Sequence, residues 1–121
     1  LYMIHAYVKP HEDTNPQMIN NIKQMYIDAG NKNDALVIPV GIAFEKAYKA
    51  QKNIQLHKHY DGTHPNILGT YLASCVVFAS ITHLSPLNIQ YSYYDKISKE
   101  DKEFLQNIAK ETVEDFYNID L

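Results

Sequence analysis

Residues 66–83 constrain the fold more than any other part of the sequence, because as a helix they would be apolar on almost every side. A helix that is apolar all round is buried, so it must pack against a sheet or between other elements. The longest apolar run, residues 71–81, contains Ser74 and Ser80 and is well short of the roughly 20 residues that a membrane span needs. We therefore predict a core helix here and no membrane span.

The composition matches one globular domain. The chain has 121 residues, of which 45% are hydrophobic and 21% are charged, and a domain of this size can bury most of its unfolded surface. Its eleven basic residues are all lysines spread along the chain, and fourteen acidic residues give a net charge of −3. Arginine, the side chain that best reads base edges and phosphates, does not occur. We therefore predict no nucleic-acid partner.

Strand and helix patterns alternate through the first half of the chain. Residues 1–8 alternate and are rich in β-branched and aromatic types, which predicts a strand. Residues 16–30 repeat apolar side chains at helical spacing, with Asn15 as N-cap and Gly30 at the end. Residues 35–40 form a continuous apolar run typical of a buried parallel strand, and residues 42–52 have a second helical pattern. This order predicts an α/β layered fold with a parallel sheet.

A tyrosine-rich linker over residues 86–96 leads to the last predicted helix. Ser98 is its expected N-cap, and two adjoining apolar columns make the helix amphipathic. Tyr91, Tyr93 and Tyr94 could form a stacking platform for carbohydrate, but linker tyrosines usually pack onto a helix, and we expect that here.

The densest cluster of reactive side chains lies in residues 57–65, a predicted loop before the core helix. Gly62 permits a tight turn, and Pro65 favours an extended conformation for His64. Across such a turn, Asp61 could hold the Nδ1 proton of His64 and leave Nε2 free as a general base. The turn also suits a structural role, in which Asp61 accepts backbone N–H groups and His64 lies at the surface. Asp61 and His64 are the candidate catalytic residues.

Residues 60–65, continued by residues 68–73 and closed by residues 84–86, strongly resemble the C-terminal end of the SGNH/GDSL-type serine hydrolases. The last conserved block of that family carries an Asp-x-x-His pair just before the final core helix, and Asp61 and His64 match this pair. The resemblance implies a flavodoxin-like three-layer α/β/α fold, of which this chain would contribute two parallel strands. It implies hydrolysis of carboxylic esters or acylated carbohydrate and no cofactor. Residues 1–86 would be the C-terminal part of such a domain, and residues 87–121 a linker and an extra amphipathic helix packed on it.

The nucleophile of the family has no counterpart in this sequence. In that family a serine within a Gly-Asp-Ser block near the N-terminus attacks the substrate and contributes to the oxyanion hole. None of the four glycines begins such a block, and no serine precedes Ser74. Ser74, Ser80 and Ser85 fall in or just after the core helix, where hydroxyls usually bond the helix backbone. We therefore expect a missing N-terminal half, or a partner chain, to supply the serine and complete the sheet, and this chain to be inactive alone.

Two other interpretations use the same residues differently. His57, His59, Asp61 and His64 form an H-x-H-x-D-x-x-H pattern whose imidazole and carboxylate groups could hold Zn²⁺ in a zinc-binding hydrolase. Zinc hydrolases of the metallo-β-lactamase type place Asp and His side by side, however, so we expect His57 and His59 to be solvated loop residues.

The chain could also be a non-catalytic fragment or interaction module, with its last helix covering a sheet edge. In each case Cys75 is expected to act as a small buried hydrophobe.

Overall fold

A computed structural model describes residues 2–3 and 17–121, and helices dominate this part of the chain. Two short strands, β1 (Tyr2–Met3) and β2 (Val37–Ile38), pair in parallel, with Tyr2 opposite Val37 and Met3 opposite Ile38. One turn of 3₁₀-helix, Pro86–Asn88, precedes the last helix. The α-helices of the described residues are α1 (Met18–Asn33), α2 (Val40–Ala50), α3 (Ile67–Thr82) and α4 (Lys99–Tyr117).

The predicted flavodoxin-like α/β/α architecture is wrong for the described residues. That fold needs a broad parallel sheet between two helical layers, whereas β1 and β2 span two residues each. The apolar run over residues 35–40 is a strand only at Val37–Ile38, because Pro39 follows and α2 begins at Val40. Residues 37–40 are nevertheless buried, since helices rather than further strands cover them. The core of the described chain is therefore built mainly by helices packing on helices.

Helix α3 is a core helix, as predicted, but it is not buried on every side, because Ile67, Ser74 and Ile81 are exposed. Asn66 caps its first turn, with the side-chain oxygen accepting a hydrogen bond from Gly69 N at 3.1 Å. His83 ends the helix in the left-handed conformation, with φ of 55°. Helices α4 and α2, not a sheet, cover α3. In the part of the chain that the structure describes, no helix combines the length and the apolar character needed to cross a membrane.

Helix α4 packs along α3 through one apolar face. Ser98 is its N-cap, as predicted, and its hydroxyl accepts from Asp101 N at 3.0 Å. On the solvent side, Lys46 of α2 forms ion pairs with Glu111 at 3.0 Å and with Asp115 at 2.9 Å. The buried residues of the packed face include Leu105, Ile108, Ala109, Thr112 and Val113.

Helix α1 differs from its predicted bounds at the C-terminal end. It continues through Gly30 to Asn33, and Asp34 in the left-handed conformation ends it. Gly30 has a packing role, because a Cβ there would lie 2.3 Å from Val37 Cγ2. Helix α2 covers residues 40–50 instead of the predicted 42–52. The predicted N-cap Asn15, and the predicted strand apart from Tyr2–Met3, lie outside the described residues.

Candidate functional site

The loop over residues 57–65 is closed on itself by backbone hydrogen bonds. Lys58 N donates to His64 O at 2.8 Å, and Gly62 N donates to Lys58 O at 2.9 Å. His57 and Pro65 form an antiparallel bridge at the base of the loop. These bonds fix the tip of the loop relative to α3, which begins two residues after Pro65. We name residues 57–65 the His-Asp loop.

The tip of the His-Asp loop brings Asp61 and His64 together. Asp61 Oδ2 lies 2.8 Å from His64 Nδ1. The other carboxylate oxygen, Oδ1, accepts from Thr63 N at 2.8 Å and from His64 N at 2.9 Å. Gly62, with φ of +64°, supplies the left-handed backbone that the turn requires. The carboxylate thus has the structural role in the turn and at the same time contacts the imidazole.

The electrostatics of this pair favour an ionised carboxylate. The N–H of Thr63, then the N–H of His64, and then the His64 side chain lower the pKa of Asp61 to about 2. A carboxylate facing Nδ1 makes that nitrogen the donor and leaves Nε2 as the acceptor of the neutral ring. The His64 side chain is 72% exposed, so Nε2 is open to approach by another group. This is the geometry of an oriented general base, whose catalytic role stays a prediction.

We expect the carboxyl carbon of Asp61 to titrate near pH 2 by ¹³C NMR. Because the folded pKa lies below the ordinary value of 3.8, the ionised group stabilises the fold above about pH 4, and this contribution is lost as the pH falls through 2. In His64→Ala the midpoint should stay well below 3.8, since the two backbone donors are the larger causes. A midpoint at 3.8 in the unmodified chain would contradict the hydrogen-bonded geometry.

The structure separates the other histidines of the loop from this pair. His57 is only 6% exposed, so the prediction that it is solvated is wrong, whereas His59 is exposed as predicted. The bridge to Pro65 turns His57 towards α2, where its Nδ1 lies 2.6 Å from Tyr48 Oη and its ring packs on Phe44. Among the described residues, no three His, Cys, Asp or Glu side chains are grouped closely enough to hold a metal ion. The H-x-H-x-D-x-x-H pattern therefore does not form one ligand cluster.

The hydroxyl and thiol groups of α3 do not pair with His64. Ser74 Oγ donates to Thr70 O at 2.9 Å, as expected for a serine of this helix, whereas the buried Ser80 Oγ does not bond the helix backbone. Burial raises the pKa of the Cys75 thiol to about 11, so it stays protonated at neutral pH. Within the described residues, no serine hydroxyl hydrogen-bonds His64. The described residues thus bring an imidazole and a carboxylate into contact, with no serine or cysteine side chain bonded to them.

A groove of about 540 Å³ borders the His-Asp loop. It runs between α3 and the segment over residues 89–93, with Lys58 and Pro65 at the end next to the loop. Sequence reasoning missed this groove because its two walls are about twenty residues apart and were assigned separately to core and linker. One signal in the sequence pointed to it, since Thr70 and Ser74 place hydroxyls four residues apart on one side of a mostly apolar helix. Such a polar stripe marks a face that other elements do not cover.

The second wall of the groove is a strained turn rich in tyrosine. Tyr93, Tyr94 and Asp95 all have left-handed backbone, with φ of 54°, 55° and 58°, which costs roughly 1–2 kcal/mol per residue. Ser92 Oγ donates to Asp95 Oδ1 at 2.8 Å and ties the turn together. The ring of Tyr91 packs edge-on against Tyr93 and Tyr94, with centroids 6.4 Å and 5.8 Å away. The rings therefore pack mainly on one another, and not simply onto a helix as predicted.

Comparison of the chain with protein-family models, with curated proteins and with solved structures yields no match.

Proposed function

We propose that this chain supplies the Asp–His pair of a serine hydrolase that acts on carboxylic esters or acylated carbohydrate. The observation that carries the proposal is the 2.8 Å contact between Asp61 Oδ2 and His64 Nδ1, in a loop where backbone donors hold the other carboxylate oxygen. The resemblance of residues 60–65 and 68–73 to the Asp-x-x-His block of SGNH/GDSL-type hydrolases supports the same assignment.

In this mechanism His64 Nε2 accepts the proton of a serine hydroxyl as the serine oxygen attacks the ester carbonyl. Asp61 stabilises the resulting imidazolium through Nδ1 and remains ionised itself. The imidazolium then donates its proton to the departing alcohol, which leaves an acyl-serine. Water attacks the acyl-serine in the same way, with His64 again as base, and releases the acid.

The loop prepares this pair for its role before substrate binds. Asp61 is held by two backbone N–H groups and the loop ends are bonded together, so the carboxylate needs no rearrangement when the imidazole becomes charged. The exposed His64 ring leaves Nε2 accessible to a segment that carries the serine. The proposal requires such a segment to contain a Gly-Asp-Ser block.

The test is to express the complete open reading frame that contains this chain and to assay hydrolysis of p-nitrophenyl acetate. We call this protein the joined polypeptide, and the proposal requires it to carry the Gly-Asp-Ser block and to hydrolyse the ester. His64→Ala should reduce hydrolysis close to the background rate. His59→Ala, at an exposed position of the same loop, is the matched control and should retain activity. Hydrolysis that survives His64→Ala would refute the proposal.

A further inference from the structure

We propose that the groove between α3 and residues 89–93 binds a ligand with an elongated apolar body and a carboxylate or ester group at one end. We name it the acyl groove, because its assignment to the acyl part of the substrate rests on the proposed function. Its lining includes Lys58, Pro65, Thr70, Ser74, Phe78 and Tyr91.

The size and the walls of the acyl groove favour an apolar ligand body. A volume of about 540 Å³ lies within the range of roughly 300–1,000 Å³ found for small-molecule sites. Ile67, Phe78 and Ile89 provide apolar surface along its length. The hydroxyls of α3 that line it belong to Thr70, Tyr71 and Ser74; Ser74 Oγ already donates to Thr70 O, and Tyr71 Oη already accepts from Gln106. A hydrocarbon or aryl chain would bury this surface, whereas a sugar would leave many of its hydroxyls without partners.

The acyl groove ends at the His-Asp loop that carries the candidate catalytic pair, although neither Asp61 nor His64 lines the groove. Pro65, at one end of the groove, directly follows His64 in the chain. Lys58, at the same end, is bonded within the His-Asp loop through its N–H, which donates to His64 O at 2.8 Å. The reactive end of a bound ester would therefore lie at the Lys58 end, and its apolar chain would extend along α3.

A positive charge at this end matches a carboxylate. Lys58 Nζ lies 5.6 Å from the centre of the Tyr60 ring. Within the described ranges, no Asp or Glu carboxylate forms an ion pair with Lys58. The ammonium group is thus available to attract the carbonyl oxygen of an ester, or the carboxylate of the acid that hydrolysis releases.

The strained tyrosine turn gives the groove a defined second wall. Three consecutive left-handed residues, Tyr93, Tyr94 and Asp95, are an unusual conformation that the surrounding structure must enforce. The turn places Tyr91 and Tyr93 across from α3, and the contacts among the tyrosine rings support them. An aromatic wall opposite an apolar helix face suits a flat or extended hydrocarbon body.

Isothermal titration calorimetry with octanoate on the 121-residue chain tests this proposal. We expect saturable binding of one octanoate and weaker binding of 1-octanol, which has the same chain length but no charge. Ser74→Phe, which fills the groove from an exposed position of α3, should weaken octanoate binding by about tenfold or more. Tyr91→Ala, at an exposed position of the opposite wall, should also weaken it. Lys58→Gln should reduce the preference for octanoate over 1-octanol.

Ile81→Ser is the matched control, because Ile81 is an exposed apolar residue of α3 that does not line the groove, and its octanoate affinity should not change. Failure of octanoate to bind, or binding that neither Ser74→Phe nor Tyr91→Ala weakens, would overturn the proposal. Equal affinity for octanoate and 1-octanol would contradict the part of the proposal that places a carboxylate next to Lys58. His64→Ala should abolish hydrolysis by the joined polypeptide but keep octanoate binding. Failure of the acyl-groove proposal would therefore appear in octanoate binding, and failure of the catalytic assignment would appear in the rate of hydrolysis.

Discussion

Asp61→Asn should lower the rate of ester hydrolysis by the joined polypeptide by about 10⁴-fold, the effect of the equivalent change in a serine protease triad. Asn has nearly the same shape as Asp, so the His-Asp loop should keep its backbone conformation. The loss should therefore arise from the direction of one hydrogen bond, between residue 61 and His64 Nδ1.

The hydrogen bonds of the turn determine which way the new amide points. In the unmodified chain, Asp61 Oδ1 accepts from Thr63 N and from His64 N. The amide oxygen of Asn should take this position, because turning the NH₂ group towards two backbone donors would lose both bonds. The NH₂ group then faces His64 Nδ1, which must accept. The ring is thereby driven into the tautomer with its proton on Nε2, the nitrogen that has to act as base.

Thr63→Ala is the control for this substitution. It keeps the N–H that Asp61 accepts and removes only the Thr63 hydroxyl, which donates to Asp61 O at 3.2 Å. We expect its rate of hydrolysis to stay within about tenfold of the unmodified protein, since a weak neutral hydrogen bond contributes about 1 kcal/mol. Equal rates for Asp61→Asn and Thr63→Ala would contradict an orienting role of the carboxylate.

Gly69→Ala should lower the free energy of unfolding by about 3 kcal/mol, near the upper end of the usual cost of overpacking. A Cβ at this position would lie 2.2 Å from Leu56 O and 3.1 Å from Phe44 Cζ. The nearer atom belongs to the backbone, so a side-chain rotation cannot relieve the clash. Leu56 O also accepts from Asn66 N at 2.9 Å, a bond that joins the segment before the His-Asp loop to the start of α3. The substitution should therefore also disturb the loop.

Urea unfolding followed by circular dichroism measures this effect, with Gly62→Ala as the matched control. A Cβ at Gly62 would have no atom within 4 Å, and only the φ of +64° opposes a side chain there. We expect Gly62→Ala to cost about 1 kcal/mol, the usual penalty of left-handed backbone. A Gly69→Ala protein as stable as Gly62→Ala would show that α3 does not approach Leu56 as closely as described.

The features that local sequence determines were predictable. The spacing of Asp61 and His64, with a glycine between them and a proline after them, is sufficient to form the turn that joins the two side chains. The all-round apolar pattern of α3 and the Ser98 cap of α4 likewise depend on neighbouring residues, and the structure has both. Each of these features involves residues only a few positions apart.

The features that depend on distant residues were not predictable. A short apolar run such as residues 35–40 has the same pattern in a buried strand and at the start of a buried helix. In the structure it is a strand only at Val37–Ile38, and α2 begins at Val40. His57 is buried because Tyr48 and Phe44 of α2 lie beside it. The acyl groove was missed for the same reason, since its walls come from separate segments.

The tautomer of His64 tests the central claim most directly, and it can be measured in this chain without a nucleophile or substrate. Long-range ¹H–¹⁵N NMR, at a pH where the imidazole is neutral, identifies which ring nitrogen carries the proton. With Asp61 Oδ2 at 2.8 Å from Nδ1, we predict the proton on Nδ1 and an unprotonated Nε2. In Asp61→Asn the proton should move to Nε2. A proton on Nε2 in the unmodified chain, or a tautomer unchanged by Asp61→Asn, would contradict the assignment of His64 as a base oriented by Asp61.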